Sequence, residues 1–410
     1  MSTRLVIVNA GSPTGLKFSV EFGDRRALFD FGVEHAPGRA LFSLGLKPRP
    51  GRELRDLLAV SAAPRLEGVY DAWDGRTAVF ISHLHLDHTG LVRFLHPDLP
   101  LHYPAGMEEL RAAAAGAGYA EWRDPAGQPV ADRSRVNWGE IEVEFVAVDH
   151  DLPGATGFVV RTPDLSLAYS GDQRRHGLHP ELTEGFTAAA RGVDVLIQEA
   201  VSLTLLEPAL EPRVELSESE AVAGLERLVR EVKGMLVVNL YAMNRERVHA
   251  LGRACAAAGR PFLMEPAAAA VAAWPHTFED PAAVPRDACL QLSFENLPTL
   301  IDLRPPPGSA YLHSDGQPLG VFDPRWPLLE AWAAHFGMAF VRVGSSGHSR
   351  PADLVRTVSE VNPGLVMPAH SRAPQLLRVP GVPSLVPEPL RPYSAEELKA
   401  AGVRRATPRS

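Results

Sequence analysis

The sequence predicts a mixed α/β protein built as two lobes. Short apolar runs stop at turn residues through the first half, and a later stretch alternates strand, helix and strand. His, Asp and Glu recur just past the ends of successive strands, which predicts that one sheet edge is a reaction site. At 410 residues the chain exceeds one ordinary domain, so a second lobe has material to build its own core.

Leu5-Val-Ile-Val, Phe18-Ser-Val-Glu-Phe and Ala27-Leu-Phe-Asp-Phe-Gly have the spacing of paired strands. Residues 51–60 and 105–115 read as helices, the second rich in alanine. Thr77-Ala-Val-Phe-Ile is an apolar strand that stops at a histidine cluster. The run from Ile141 to Val148 alternates strictly and ends at Asp149-His150. Ser166-Leu-Ala-Tyr-Ser-Gly delivers Asp172 after a strand, and Val193-Asp-Val-Leu-Ile-Gln delivers Glu199. Residues 215–233 read as a charged amphipathic helix with Ser217 as N-cap and Glu220 completing a capping box. Met235-Leu-Val-Val-Asn-Leu, a helix near 244–258 and Pro261-Phe-Leu-Met form a β-α-β unit, hence an inserted parallel-sheet lobe. Residues 275–310 are proline-rich and carry no clear period. Ala339-Phe-Val-Arg-Val, the turn Ser345-Ser-Gly-His-Ser-Arg, a helix over 351–361 and Gly364-Leu-Val-Met-Pro-Ala-His370 repeat the strand–turn–helix–strand plan. Pro and Arg accumulate from about residue 380, which reads as a surface tail.

Composition narrows the function. A hydrophobic content of 45% with 22% charged residues describes an ordinary soluble globular protein. The first residues read as a strand rather than a secretory signal, and no apolar stretch is long enough to span a bilayer. Cys255 and Cys289 lack metal-ligand spacing and read as buried thiols of a cytoplasmic protein. A net charge of −8 argues against a passive polyanion-binding coat, which works by neutralising phosphates with Lys and Arg. It does not exclude a metalloenzyme acting on phosphates, because bound cations supply local positive charge.

The chemistry concentrates in His83-Leu84-His85-Leu86-Asp87-His88. A strand that presents His-x-His and then turns into a helix carrying Asp-His places all of these side chains on one rim. Neutral imidazole and carboxylate suit Zn²⁺, Mn²⁺ or Fe ions. His83, His85 and His150 are expected to hold one ion, and Asp87, His88 and His370 a second. Asp172 can bridge, since a carboxylate has two oxygens. Asp30 is the candidate for orienting a ligating imidazole. Alone, His150 or His370 is more often an ordinary histidine, and Asp172 a turn cap; their order after strand ends is what joins them to the hexapeptide.

These residues resemble the metallo-β-lactamase superfamily in the series Asp30, His83-x-His85-x-Asp87-His88, His150 and Asp172. More narrowly, Asp149-His150-Asp-Leu-Pro-Gly-Ala, Tyr169-Ser-Gly-Asp172-Gln-Arg-Arg-His-Gly and Ser346-Gly-His348-Ser with Met367-Pro-Ala-His370 resemble the β-CASP branch of nucleic-acid-processing hydrolases, which includes ribonuclease J. The resemblance spans roughly residues 5–372. It implies an αββα sandwich with an inserted β-CASP α/β lobe. The N-terminal part of the metallo-β-lactamase domain would occupy 1–202, the insertion 203–340, the return segment 341–380 and the tail 381–410. It also implies two divalent metal ions, Zn or Mn, and catalytic roles for His348, Glu199 and Asp87. His348 would protonate the leaving oxygen, with Glu199 orienting it.

Departures accompany the resemblance. Ser371-Arg372 follows the last histidine where the branch often carries a Glu, and Ala200-Val201 follows Glu199 where Gly-Thr is usual. The opening glycine-rich loop is matched only loosely by Ala10-Gly-Ser-Pro-Thr-Gly, and the extra C-terminal domain of long ribonuclease J chains has no counterpart. Ser345, Ser346, Gly347 and Ser349 offer hydroxyls and N–H groups for a substrate phosphate, although a plain helix cap explains them equally. Arg174, Arg175, Arg245 and Arg247 are weaker candidates for tracking a nucleic-acid backbone. The leading expectation is a nuclease acting on single-stranded RNA before DNA, without a membrane partner, and compatible with a homodimer. A hydrolase of small esters, lactones or thioesters is the first rival. A catalytically idle scaffold is the second, and the intact ligand set argues against it.

Overall fold

The structure, a computed structural model, describes residues 1–9, 15–33, 40–204 and 215–403. The opening loop noted at Ala10–Gly15 therefore lies outside the described residues except for Gly15. Strand-forming runs assemble into three sheets. The first has the order β18-β1-β2-β3-β4-β5-β6, from β1 (Arg4–Asn9), β2 (Lys17–Phe22), β3 (Arg25–Phe29), β4 (Thr77–Phe80), β5 (Leu101–Pro104), β6 (Gln128–Val130) and β18 (Pro392–Ser394). The second has the order β17-β11-β10-β9-β8-β7, from β7 (Arg135–Trp138), β8 (Ile141–Ala147), β9 (Thr156–Arg161), β10 (Ser166–Tyr169), β11 (Val195–Glu199) and β17 (Leu365–Ala369).

The apolar positions of both sheets meet in one core. Phe29 packs on Phe158 with ring centroids 5.3 Å apart, and Phe18 meets Tyr169 edge-on at 5.1 Å. Each such buried ring contributes about 1.5–3 kcal/mol relative to exposure. On the outer face of the second sheet, Leu354, Val358 and Val361 of the helix Pro351–Val361 and Phe186 of the helix Pro180–Ala189 pack on Val146, Val159 and Leu196. With helices also covering the first sheet's far side, the layers are α, β, β, α.

The third sheet is wholly parallel, in the order β13-β14-β12-β15-β16, from β12 (Leu236–Leu240), β13 (Phe262–Leu263), β14 (Cys289–Gln291), β15 (Ala310–Ser314) and β16 (Ala339–Arg342). The helices Glu218–Glu231 and Arg245–Ala257 lie against each other beside it. Ser217 accepts from the Glu220 N–H while Glu220 accepts from Ser217, a complete capping box. The proline-rich stretch contributes β14, whose Cys289–Gln291 are all buried.

Parallel pairing positions the site. β10, β11 and β17 run side by side in one direction, so Asp172, Glu199 and His370 leave the same sheet edge. β3 and β4 are also parallel, which brings Asp30 and His83 out together. Asp30 and His370 have φ of 54° and 56°. A non-glycine residue there is strained by roughly 1–2 kcal/mol, and the backbone at both positions turns sharply inward after its strand.

The end of the chain differs from the expected surface tail. Leu5 pairs with Tyr393 in an antiparallel register, so β18 covers the edge that β1 would leave open. The helix Ala395–Gly402 follows, capped by Ser394, and Tyr393 and Leu398 join the inter-sheet core with no exposed surface. Residues 404–410 lie outside the described part. Tyr393→Ala is expected to lower unfolding free energy by roughly 3–5 kcal/mol, the range for truncating a large buried aromatic. A denaturant titration checks this, and a change under 0.5 kcal/mol would restore the tail reading.

Candidate metal centre

The hexapeptide begins where β4 ends, and its last residues open a single helical turn, Leu86–Thr89. One nitrogen or oxygen each from His83, His85, His150 and Asp172 lie within 4.8 Å of one another, as do those from Asp87, His88 and His370. Asp172 Oδ2 stands between the groups, 3.6 Å from His83 Nε2, 3.2 Å from His88 Nε2 and 3.6 Å from His370 Nε2. Residues 83–88, 150, 172 and 370 thus form one cluster.

Hydrogen bonds behind the rings decide which nitrogens face inward. Asp30 is fully buried and accepts from the Ser82 N–H at 2.7 Å, Ser82 Oγ at 2.8 Å, Tyr169 Oη at 2.9 Å and His88 Nδ1 at 2.8 Å. Because Ser82 Oγ spends its proton on Asp30, it accepts from His83 Nδ1 at 2.9 Å. The Gly347 carbonyl only accepts, so His150 Nδ1, 2.6 Å away, carries the proton. In their neutral forms His83, His88 and His150 therefore all present a bare Nε2 to the cluster.

The donor set fits divalent cations. Both Asp172 oxygens are buried without a hydrogen-bond donor. His83 Nε2 lies 3.1 Å and His150 Nε2 3.2 Å from His85 Nδ1. At most one proton, on His85 Nδ1, can lie among these three nitrogens, so lone pairs still converge unless further positive charge separates them. His370 is tied differently: its Nε2 accepts from the Gly15 N–H at 2.9 Å while lying 3.3 Å from both Asp87 Oδ2 and His88 Nε2.

Protonation follows burial and charge. Burial pushes the His150 imidazole down to about 3 and, with the neighbouring His88, holds His83 well below its ordinary value, so both are neutral donors at physiological pH. His88 goes the other way: burial lowers it, but Asp172, Asp87 and Asp30 outweigh burial and hold it well above. Burial would raise Asp87 and Asp172, yet the imidazoles of His88 and His370 win and keep both carboxylates ionised. A proton on His88 thus fills part of the role a cation takes in this cage.

His348 stands at the rim, 22% exposed, with Nδ1 3.7 Å from Glu199 Oε2 and 3.8 Å from Asp172 Oδ2. Burial lowers it, but Asp172 and then Glu199 outweigh that and hold it up at about 9. Glu199 is itself fixed by the N–H groups of Ser349 and Val201, each at 3.0 Å.

Other expected contacts fall elsewhere. Ser349 is buried, its hydroxyl donated to the Gln173 carbonyl and its N–H to Glu199, so neither is free for a phosphate. Ser345 is buried with its carbonyl accepting from Arg247; Ser346 is half-buried. Gly347 packs so closely that a Cβ would lie 2.6 Å from His150 Cε1. The arginines suggested for a nucleic-acid backbone are occupied. Arg174 and Arg247 share Glu218, Arg175 pairs with Glu360, and Arg245 bonds Glu109 and the Val271 carbonyl.

Sequence reasoning missed Asp151, whose Oδ1 lies 3.3 Å from His85 Nε2 and 3.4 Å from His150 Nε2. That oxygen is buried and accepts no hydrogen bond, so Asp151 stands as an anionic neighbour beside both rings. Its place directly after His150 was the available signal.

Residues 49–235 match the beta-lactamase superfamily domain. The chain carries a metallo-β-lactamase superfamily domain. That domain match includes the hexapeptide, His150, Asp172 and Glu199, while His348 and His370 lie beyond it. The chain is similar to ribonuclease J of Mycolicibacterium smegmatis, 29% identical over 202 residues, which are 48% of this chain and 35% of that protein. Ribonuclease J of Sinorhizobium meliloti is 26% identical over 196 residues, 46% of this chain and 33% of that protein. The match thus spans about a third of the length of these curated relatives. A crystal structure of a protein of unknown function from Enterococcus faecalis V583 superposes with a TM-score of 0.81 at 26% identity, covering 96% of this chain and 100% of that one.

Asp30→Ala removes the acceptor that sets the His88 tautomer. It is expected to weaken divalent-metal affinity about 10- to 100-fold, read by chelator competition. Unchanged affinity would mean that Asp30 does not orient the ligands.

Proposed function

We propose that this protein is a metal-dependent nuclease that hydrolyses single-stranded RNA. The observation that carries the reading is the shared position of Asp172. It joins the two ligand groups and also faces His348, so water activation and proton delivery fall within one site. The likeness to ribonuclease J supplies the substrate class.

His83, His85 and His150 would hold one cation and Asp87, His88 and His370 the other, with Asp172 common to both. Imidazole and carboxylate suit Zn²⁺ or Mn²⁺. Divalent cations in such a cage acidify water and offset the charge of a phosphodiester. His348 holds the other proton of the reaction. With Nδ1 turned to Glu199 and Asp172, its Nε2 is left to face substrate and donate to the departing oxygen. Glu199, clamped by two backbone N–H groups, keeps the ring aligned and cationic. Asp30 acts one step back, fixing His88, while Asp151 lies beside His85 and His150.

Substrate contact on this reading comes from Ser346 and from Tyr241, whose ring lies 5.4 Å from that of His85 at the end of β12. An aromatic face there offers a base a stacking partner. No helix among the described residues is long and apolar enough to cross a membrane. A cytoplasmic setting belongs to the same proposal, consistent with Cys255 and Cys289 being buried free thiols.

Labelled single-stranded RNA incubated with Mn²⁺- or Zn²⁺-loaded protein is expected to be cleaved, with loss on chelation and recovery on adding metal back. His348→Ala is expected to slow cleavage about 10²- to 10⁴-fold, the usual worth of a general acid, while metal content stays unchanged. Intact RNA under both metals, with metal content verified, would overturn the assignment. Preference for a nitrophenyl carboxylic ester would replace it with the small-molecule hydrolase.

A further inference from the structure

Away from the ligands, a buried charge network ends on the backbone that carries His348. Glu218, in the first turn of the helix Glu218–Glu231, has no exposed surface. Its Oε1 accepts from Arg247 Nε at 2.7 Å, and its Oε2 from Arg247 Nη2 and Arg174 Nη1, both at 2.8 Å. Arg247 belongs to the helix Arg245–Ala257 and also bonds Asp315, just past β15, at 2.6 Å. Arg174 comes from the other direction, two residues past Asp172, and its N–H donates to the Asp149 carbonyl at 2.8 Å. The network therefore joins the parallel-sheet lobe to the strand ends that carry Asp172 and His150.

Three successive carbonyls take further hydrogens from the network and from the neighbouring histidines. Arg247 Nη2 donates to Ser345 O at 2.9 Å. His176 Nε2 and Arg174 Nη1 donate to Ser346 O at 3.1 and 3.3 Å. His150 Nδ1 donates to Gly347 O at 2.6 Å, and the next residue is His348. Burial, together with Arg350 and Arg174 nearby, lowers His176 to about 4, so it is a neutral ring with its proton fixed on the carbonyl. A loop gripped at three consecutive carbonyls has little freedom to displace the side chain that follows it.

We propose that Arg247 and Glu218 are positioning residues for His348. Together with Arg174 they fix the 345–347 backbone and thereby set where the His348 proton is delivered. Neither Arg247 nor Glu218 approaches the ligand cluster. Two buried arginines around one carboxylate are a poor investment for stability alone, since apolar replacements of buried ion pairs are often neutral or better. Their carbonyl contacts give them a directional task that an apolar pair cannot perform.

This inference rests on the phosphodiesterase reading, and its test separates the two. The leaving alkoxide of RNA needs a proton, whereas nitrophenolate leaves without one. Turnover is measured on single-stranded RNA and on a bis-nitrophenyl phosphodiester, for metal-loaded wild type, His348→Ala and Arg247→Lys. Because Arg247→Lys leaves Glu218 partly unpaired and can impair folding, the double variant Glu218→Gln with Arg247→Met, which keeps the net charge and leaves Arg174 and Asp315 in place, is measured as well, with folding checked by circular dichroism. On the order of a 10- to 100-fold loss of kcat on RNA is expected in the Arg247 variants, the scale of a misplaced catalytic group. KM and metal content should hold, and nitrophenyl turnover should stay within about twofold, the same pattern as His348→Ala. Equal losses on both substrates, or no loss on RNA in a folded variant, would overturn the positioning role. Wild type inactive on both substrates would overturn the phosphodiesterase reading and this inference with it.

Discussion

A carboxylate without a proton donor on either oxygen stays buried and ionised only if positive charge is brought to it, and Asp172 is in that position. Much of the architecture serves this requirement. The parallel run of β10, β11 and β17 puts Asp172 beside Glu199 and His370, and the parallel β3 and β4 put Asp30 behind His83 and His88. Asp30, itself saturated with donors, turns the Nε2 atoms of His83 and His88 toward Asp172. The two buried carboxylates are thus opposites: one is satisfied by the protein, and the other is kept for something the protein binds.

The surroundings of the cluster are arranged in the reverse sense. Inside, acceptors converge on a small volume; outside, arginines and neutral histidines converge on carbonyls. The 345–347 backbone lies between, with the Gly347 oxygen taking the His150 proton on one side and the Ser345 oxygen taking an Arg247 proton on the other. Glycine is required at 347 because a Cβ would lie 2.9 Å from Asp151 Cγ as well as against His150. Ligand tautomer and His348 placement therefore depend on the same few peptide units.

What was legible in the sequence was local. The hexapeptide, the residues just past strands and the Ser217 capping box each advertise themselves within a few positions, and they occupy the places expected of them. Burial of charge was not legible. Arg174 and Arg247 look like surface cations in the sequence, because the pairing that buries them comes from Glu218 and Asp315, each well over twenty positions away. β18 was hidden for a related reason: its Pro- and Arg-rich flanks suggest solvent, and only the free edge of β1 explains why Tyr393 is drawn into the core. Ser349 misled in the opposite direction, since its hydroxyl and N–H look free in a Gly-Ser turn but are spent on Gln173 and Glu199.

The departures from the β-CASP pattern have structural counterparts. Ser371 stands where a Glu is common after the last histidine, and its Oγ lies 3.2 Å from Thr204 Oγ while accepting from the Ala373 N–H at 3.1 Å. Thr204 Oγ1 in turn accepts from the Arg372 N–H at 3.0 Å. These short bonds brace the turn at His370, whose left-handed φ of 56° needs such support. At Ala200-Val201, where Gly-Thr is usual, the Val201 N–H donates to Glu199 Oε2 at 3.0 Å. At both positions a hydroxyl or backbone N–H does by hydrogen bonding what fixes the ligand or its neighbour. The geometry of His370 and Glu199 therefore rests on contacts local to this chain rather than on the residues most common there.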